Sequence, residues 1–212
     1  MNITEIDKLR LKLQDSFNLL IDQIGIIQIG KKKQFPYGWR KAAKGRTVWR
    51  IVEELITQNL EKYHSDFKIS QVIPSTSEVS VHDMICQYEG EPQIFVNIKS
   101  AVIDGRKNKD DISKADGLIE FYNEDRERQF FVGTFFIQFL PNMAFKIEKA
   151  VVFPIAWIPD IYVNPSNNGN LQSAYYKDIS DAVKRTNAEF LPLFYEAVEI
   201  AKNKKIRNIE GH

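Results

Sequence analysis

Two long runs, Gln129 to Leu140 and Ala144 to Ile158, are rich in aromatic and β-branched residues and lack the regular polar alternation of a half-exposed strand. Such runs suit strands that are buried on both faces or nearly so. A sheet covered on both faces needs helices to cover it. Ile3, Ile6, Leu9, Leu13, Phe17, Leu20 and Ile24 recur at spacings of three and four, which predicts a helix over residues 3–24. Thr47 reads as an N-cap, and Val48, Ile51, Val52, Leu55, Ile56, Leu60 and Tyr63 mark a second helix over about 47–63, with Glu53, Glu54 and Glu61 on its other face. Residues 111–123 read as a short helix. Residues 188–205, with Phe190, Leu193, Phe194, Ala197, Val198 and Ala201 as the apolar set, close the chain with another.

Between these helices the periodicity is that of strands, from Lys68 to Ile73, Val79 to Tyr88 and Gln93 to Val102. Only Glu89-Gly90-Glu91-Pro92 separates the last two, so they form an antiparallel hairpin. The predicted class is α/β (α+β), a mixed central β-sheet carrying an antiparallel hairpin and flanked by helices. A single domain over residues 1–212 is expected, with an N-terminal helix at 3–24, a Gly- and Pro-punctuated basic loop at 30–46, a core at 47–158, a polar loop at 164–173 and a C-terminal helix at 188–205.

Composition narrows the functional classes. With 43% hydrophobic and 27% charged residues the chain is too apolar for disorder. Its longest apolar runs, such as residues 150–158, are broken by Pro154 and fall short of the roughly 20 residues of a membrane span. The N-terminal residues carry acids early and do not resemble a secretory signal. A lone Cys86 allows no internal disulfide, and three histidines with one cysteine do not readily build a structural zinc site. A reducing cytoplasm is the expected setting.

The net charge of +1 conceals an uneven distribution. Lys31, Lys32, Lys33, Arg40, Lys41, Lys44, Arg46 and Arg50 follow one another with no acid between them. Such a stripe steers toward polyanions or is simply a solvated loop.

Asp83 is the one carboxylate on the strand from Val79 to Tyr88, among Val81, Met84, Ile85 and Cys86. A lone acid in an apolar strand calls for a partner or a metal. On the facing strand Asn97 and Lys99 lie two apart and share a face. Asp83, thirteen residues, then Asn97-Ile98-Lys99 resembles the PD-(D/E)xK nuclease superfamily, in which an acid on one strand and acid-x-lysine on the next bind a divalent metal. The resemblance covers roughly residues 46–102. It departs from the pattern at His82, where proline is usual, and at Asn97, where an acid is usual. A glutamate from the preceding helix often completes the site in type II restriction endonucleases, which implies Glu54, with Glu53 next.

Further on, the Asn164-Pro165 loop ending at Gln172, followed by Arg185-Thr186 and Glu189-Phe190, is similar to the C-terminal part of a blunt-cutting restriction endonuclease of A/T palindromes. The two resemblances imply a restriction-endonuclease-like fold and a type II restriction endonuclease, a homodimer on palindromic double-stranded DNA. They imply Mg²⁺, or Mn²⁺ in its place, held by Asp83, Asn97, the Ile98 carbonyl and Glu54, with Lys99 orienting or deprotonating the attacking water. Expected DNA contacts are Lys31, Lys32, Lys33, Arg40, Lys41, Lys44, Arg46, Lys107 and Asn108 for the backbone, and Asn164, Asn167, Asn168, Asn170 and Gln172 for adenine edges. The neutral Asn97 leaves two origins open, a natural enzyme that works with asparagine or an acid replaced to trap uncleaved DNA. The alternatives are a repair or junction nuclease of the same superfamily, a DNA-binding module impaired at Asn97, or a small α/β protein with no nucleic-acid role. His64, His82 and His212 read as surface or tail residues, Cys86 as a small core hydrophobe, and Trp39, Trp49 and Trp157 as core or interface anchors.

Overall fold

The first helix, α1 (Ile3–Ile24), begins with a capping box. The Asn2 side chain accepts from the Glu5 N–H and the Glu5 carboxylate accepts from the Asn2 N–H, so two otherwise orphaned donors are satisfied reciprocally. The helix stops at Gly25, whose φ of +63° is open to glycine. The computed structural model describes residues 1–39, 44–77, 80–103, 105, 108–166 and 169–210, excluding the side chains of 44–47 and 208–210.

After α1 come β1 (Ile26–Gln28), α2 (Lys44–Tyr63), β2 (Gln71–Pro74), β3 (Met84–Gln87), β4 (Ile94–Val102), β5 (Asp110–Lys114), α3 (Ala115–Glu124), β6 (Gln129–Leu140), β7 (Ala144–Pro154), β8 (Tyr162–Asn164), β9 (Asn170–Ser173) and α4 (Asn187–Glu210). Six strands form a sheet in the order β1-β7-β6-β4-β3-β2, in which β4 and β6 run parallel and the other pairs antiparallel. The expected mixed sheet flanked by helices is therefore what the chain forms, and β3 and β4 are the expected antiparallel hairpin. A smaller antiparallel sheet, β5-β9-β8, lies beside it.

Packing explains why the aromatic runs sit at the centre. Phe130, Phe131, Phe135, Phe145 and Phe153 are buried, and Leu9, Leu13 and Phe17 of α1 join them in one core. Phe17 lies 4.9 Å from the Phe135 ring, and Gly133 makes room for it: a Cβ at residue 133 would stand 2.6 Å from Phe17 Cε2. Gly133 is in register with Ile98 of β4, so Ile98 shares the face that carries α1. Asn97 and Lys99 fall on the opposite face, where Asn97 meets β5. Gln14 ties α1 to β7, donating to the Ala150 carbonyl at 2.9 Å and accepting from the Val152 N–H at 2.9 Å.

Several boundaries differ from the sequence reading. Thr47 is not a cap, because α2 is already under way at Lys44; a glycine at residue 45 in the first turn is tolerated there. The predicted helix at 111–123 is a strand, β5, followed by α3 from Ala115, because β5 pairs with β9 and buries Ile112 at a break in that register. The polar loop at 164–173 holds the hairpin of β8 and β9, whose Val163 and Leu171 are buried opposite one another. Of the predicted strand from Val79 to Tyr88, Val79 lies outside the described residues, and among the described ones the strand covers Met84–Gln87. Pro154 ends the β7 ladder, and residues 155–157 form a single tight turn that buries Trp157. Cys86 is a buried free thiol, as expected, with its pKa pushed up to about 12 by burial.

Gly133→Ala is expected to destabilise the fold by about 1–3 kcal/mol through overpacking against Phe17. A lower guanidinium midpoint at unchanged slope checks it; an unchanged midpoint means that the ring can move aside at no cost.

Candidate active site

The cleft exists because β3 and β4 have unequal lengths. Their ladder ends where the Asp83 N–H donates to the Val96 carbonyl at 2.9 Å, while β4 continues to Val102 alongside β6. Along a strand, the N–H and C=O of one residue point to the same neighbour. The Ile98 N–H therefore points toward the missing strand, and the Asp83 carboxylate accepts it. The Ile98 carbonyl points the same way.

This fixes Asp83 beside Lys99. Burial raises the Asp83 pKa, opposed by the Ile98 hydrogen bond, then Lys99 and Arg50. Burial lowers the Lys99 pKa, opposed by Asp83 first, then Glu53, Asp111 and Asp110. Glu53 is half-buried, and its pKa is raised by burial and then by Asp83, against the pull of Arg50 and Lys99. Each charge is thus held in place by opposite charges in a partly dry setting.

Glu53, not Glu54, is the helix acid at this point. Glu54 is exposed and accepts from Gln58 Nε2 at 2.8 Å, one turn along α2. The wheel of α2 carries the signal: Glu53 stands roughly 100° from the buried Val52 and Glu54 roughly 200°. Arg50, one turn before Glu53, was counted in the basic stripe but not singled out. Its Nη1 lies 3.4 Å from both Glu53 oxygens, and its guanidinium stacks 4.0 Å from the Trp49 ring centroid. Trp49 is 41% exposed and lines the cleft rather than the core; Trp157 is a core anchor, and Trp39 packs on Phe139 at the rim.

The cleft has a volume of about 380 Å³. Among the described residues it is bordered by three carboxylates, Glu53, Asp83 and Asp111, and three cations, Arg50, Lys99 and Lys114. Arg50, Glu53 and Asp83 also border a second hollow of about 460 Å³, which Glu54 and His82 line as well. His82 is half-buried rather than a surface residue; its ring packs edge-on to Phe95, and burial lowers its pKa. Asp111 was missed because its segment was read as a helix. It accepts from Gln172 Nε2 at 2.6 Å.

Asn97 is 8% exposed and borders the cleft, with its Nδ2 donating to the Val81 carbonyl at 3.0 Å and the Ile112 carbonyl at 3.3 Å. Of the amide-rich segment, Asn170 borders the cleft, while Asn164 donates to Gln172 and Gln172 to Asp111. Lys31, Lys32, Lys33 and Asn108 are exposed. Arg40, Lys41, Lys107, Asn167 and Asn168 lie outside the described residues, as do the side chains of Lys44 and Arg46.

As a cation site, the donors are all oxygen, from Asp83, Glu53 and the Ile98 carbonyl, which suits a hard ion such as Mg²⁺ that keeps several waters and takes one or two carboxylates. Among the described residues no three His, Cys, Asp or Glu side chains are clustered closely enough to hold an ion by themselves.

No family matches this chain by sequence, and no curated protein matches it. Among solved structures, the NlaIV restriction endonuclease aligns over 97% of this chain and 88% of its own, at 12% identity and a TM-score of 0.49. A likeness that distant carries no weight for the chemistry, which rests on the cleft itself.

Lys99→Met is expected to raise the titration midpoints of both Asp83 and Glu53, because removing a neighbouring cation disfavours the ionised carboxylate. Carboxyl ¹³C NMR titration of the two proteins reads this directly; unchanged midpoints would separate Lys99 from the pair.

Proposed function

We propose that this protein is a divalent-metal-dependent endonuclease of double-stranded DNA. The observation that carries the reading is the half-buried Asp83 carboxylate, fixed by the Ile98 N–H at a strand end and facing Lys99 one residue on. A half-buried acid and a half-buried lysine beside a strand edge that has lost one neighbour form an arrangement suited to phosphodiester hydrolysis.

Asp83, Glu53 and the Ile98 carbonyl would hold Mg²⁺, or Mn²⁺ as a substitute. When bound, the ion supplies Lewis-acid polarisation of the phosphate and a lowered pKa for the attacking water. Lys99 Nζ orients that water; burial lowers its pKa, so it gives up a proton more readily than an exposed lysine. Arg50, held between the Trp49 ring and Glu53, sets a planar cation at the mouth of the cleft, where it offsets the charge of the phosphate. Because burial holds Asp83 and Glu53 above the usual carboxylate range, protons compete for the pair at a pH where exposed carboxylates are already ionised. Metal uptake is therefore expected to fall off on the acid side earlier than at an exposed site.

The finer reading is a type II restriction endonuclease that acts as a homodimer on a palindrome. Two-fold protein symmetry matches a two-fold DNA site. Asn170, at the cleft border, belongs to the Asn-Pro segment that resembles an A/T-reading loop.

Discrete fragments from phage DNA with Mg²⁺ or Mn²⁺ are the expected result. Lys99→Ala should lose roughly a hundredfold or more in rate while still binding DNA. Arg50→Ala should weaken binding and lower the salt slope of log K by about one. Intact DNA under every divalent ion, with no salt-dependent affinity, would exclude the reading.

A further inference from the structure

Asn97 occupies the position where the resembled pattern has a metal-binding acid, yet its side chain is engaged otherwise. Both recorded partners of its Nδ2 are backbone carbonyls, Val81 and Ile112. A carbonyl has no proton to offer, so the NH₂ end of the carboxamide must face them. The two acceptors belong to different segments. Val81 lies two residues before Asp83, on the stretch that has left the β3 ladder; Ile112 lies next to Asp111 on β5. Ile98, the next residue of β4, holds the Asp83 side chain through its N–H. Adjacent residues of β4 therefore grip both the backbone and the side chain of segment 81–83.

We infer that Asn97 is a positioning residue: its carboxamide clips segment 81–83 and β5 onto β4, and so sets Asp83 and Asp111 on either side of Lys99. The inference rests on the nuclease reading for its catalytic meaning. A carboxylate at this position would turn two lone pairs toward two carbonyl oxygens, in a place that is nearly closed to water. Restoring the acid of the resembled pattern therefore breaks the clip.

The test uses Asn97→Asp and Asn97→Ala in the full chain. Three quantities are read: Mn²⁺ affinity by EPR without DNA, exchange of the Ile98 amide by NMR, and the cleavage rate as a function of Mg²⁺ concentration. For a clip, both variants speed Ile98 exchange by about tenfold or more, and neither binds Mn²⁺ more tightly than the parent. The cleavage rate at saturating Mg²⁺ falls, and the Mg²⁺ needed for half-saturation does not decrease. Failure of Asn97→Asp alone to fold supports the clip too, and Asn97→Ala then supplies the three readings. Tighter Mn²⁺ binding by Asn97→Asp, with Ile98 exchange as in the parent, overturns the inference and makes residue 97 a ligand position. A parent protein that cuts no DNA removes the nuclease reading, while the exchange and Mn²⁺ readings still decide the clip.

Discussion

β4 outlasts its partner. It pairs with β6 along its whole length, from Ile94 to Val102, but with β3 only from Ile94 to Val96. A strand edge that loses its neighbour must satisfy its amides some other way. The Asp83 carboxylate takes the Ile98 amide, and the Asn97 carboxamide takes up the carbonyls around the gap. The cleft, its buried charges and its access to solvent all follow from this difference in strand length. If β3 ran on beside β4, it would fill the space where the carboxylates and Lys99 now meet.

The balance of charge in the cleft has its own logic. Three carboxylates bordering a small volume would repel one another and resist burial; three interleaved cations make the arrangement tolerable. The result is a site that is close to neutral yet strongly polar. A site of that kind can accept a doubly charged cation on its carboxylate side and a phosphate on its cationic side. Arg50 is suited to the second task because its planar guanidinium is stacked on Trp49, a restraint that lysine could not copy.

How far the sequence foretold this varied with the length of the signal. The helix at 3–24 and the strand at 129–140 carry many residues of consistent pattern, and they occur with those bounds. β1, β5, β8 and β9 are three to five residues long, too short for a period to declare itself, and β1 and β5 also depend on pairing partners distant in the chain, β7 and β9. The juxtaposition of Asp83 and Lys99 was legible because a lone charge in an apolar strand demands a partner. The choice between Glu53 and Glu54 was decided by one step around a helix. Arg50 and Asp111 were missed for different reasons: the first was one cation in a long stripe, and the second sat on a strand mistaken for a helix.

Gln14 protects the sheet in another way. Accepting from the Val152 N–H and donating to the Ala150 carbonyl, its carboxamide makes the pair of bonds that a neighbouring strand would make. β1 pairs with β7 only from Ala144 to Lys146, so past that point the outer edge of β7 has no strand beside it among the described residues. An open edge on so aromatic a sheet is a template for a second chain and an invitation to aggregate. One amide on a helix closes it, and the sheet is left with no free ladder at Ala150–Val152 on which a misdirected copy could begin to stack.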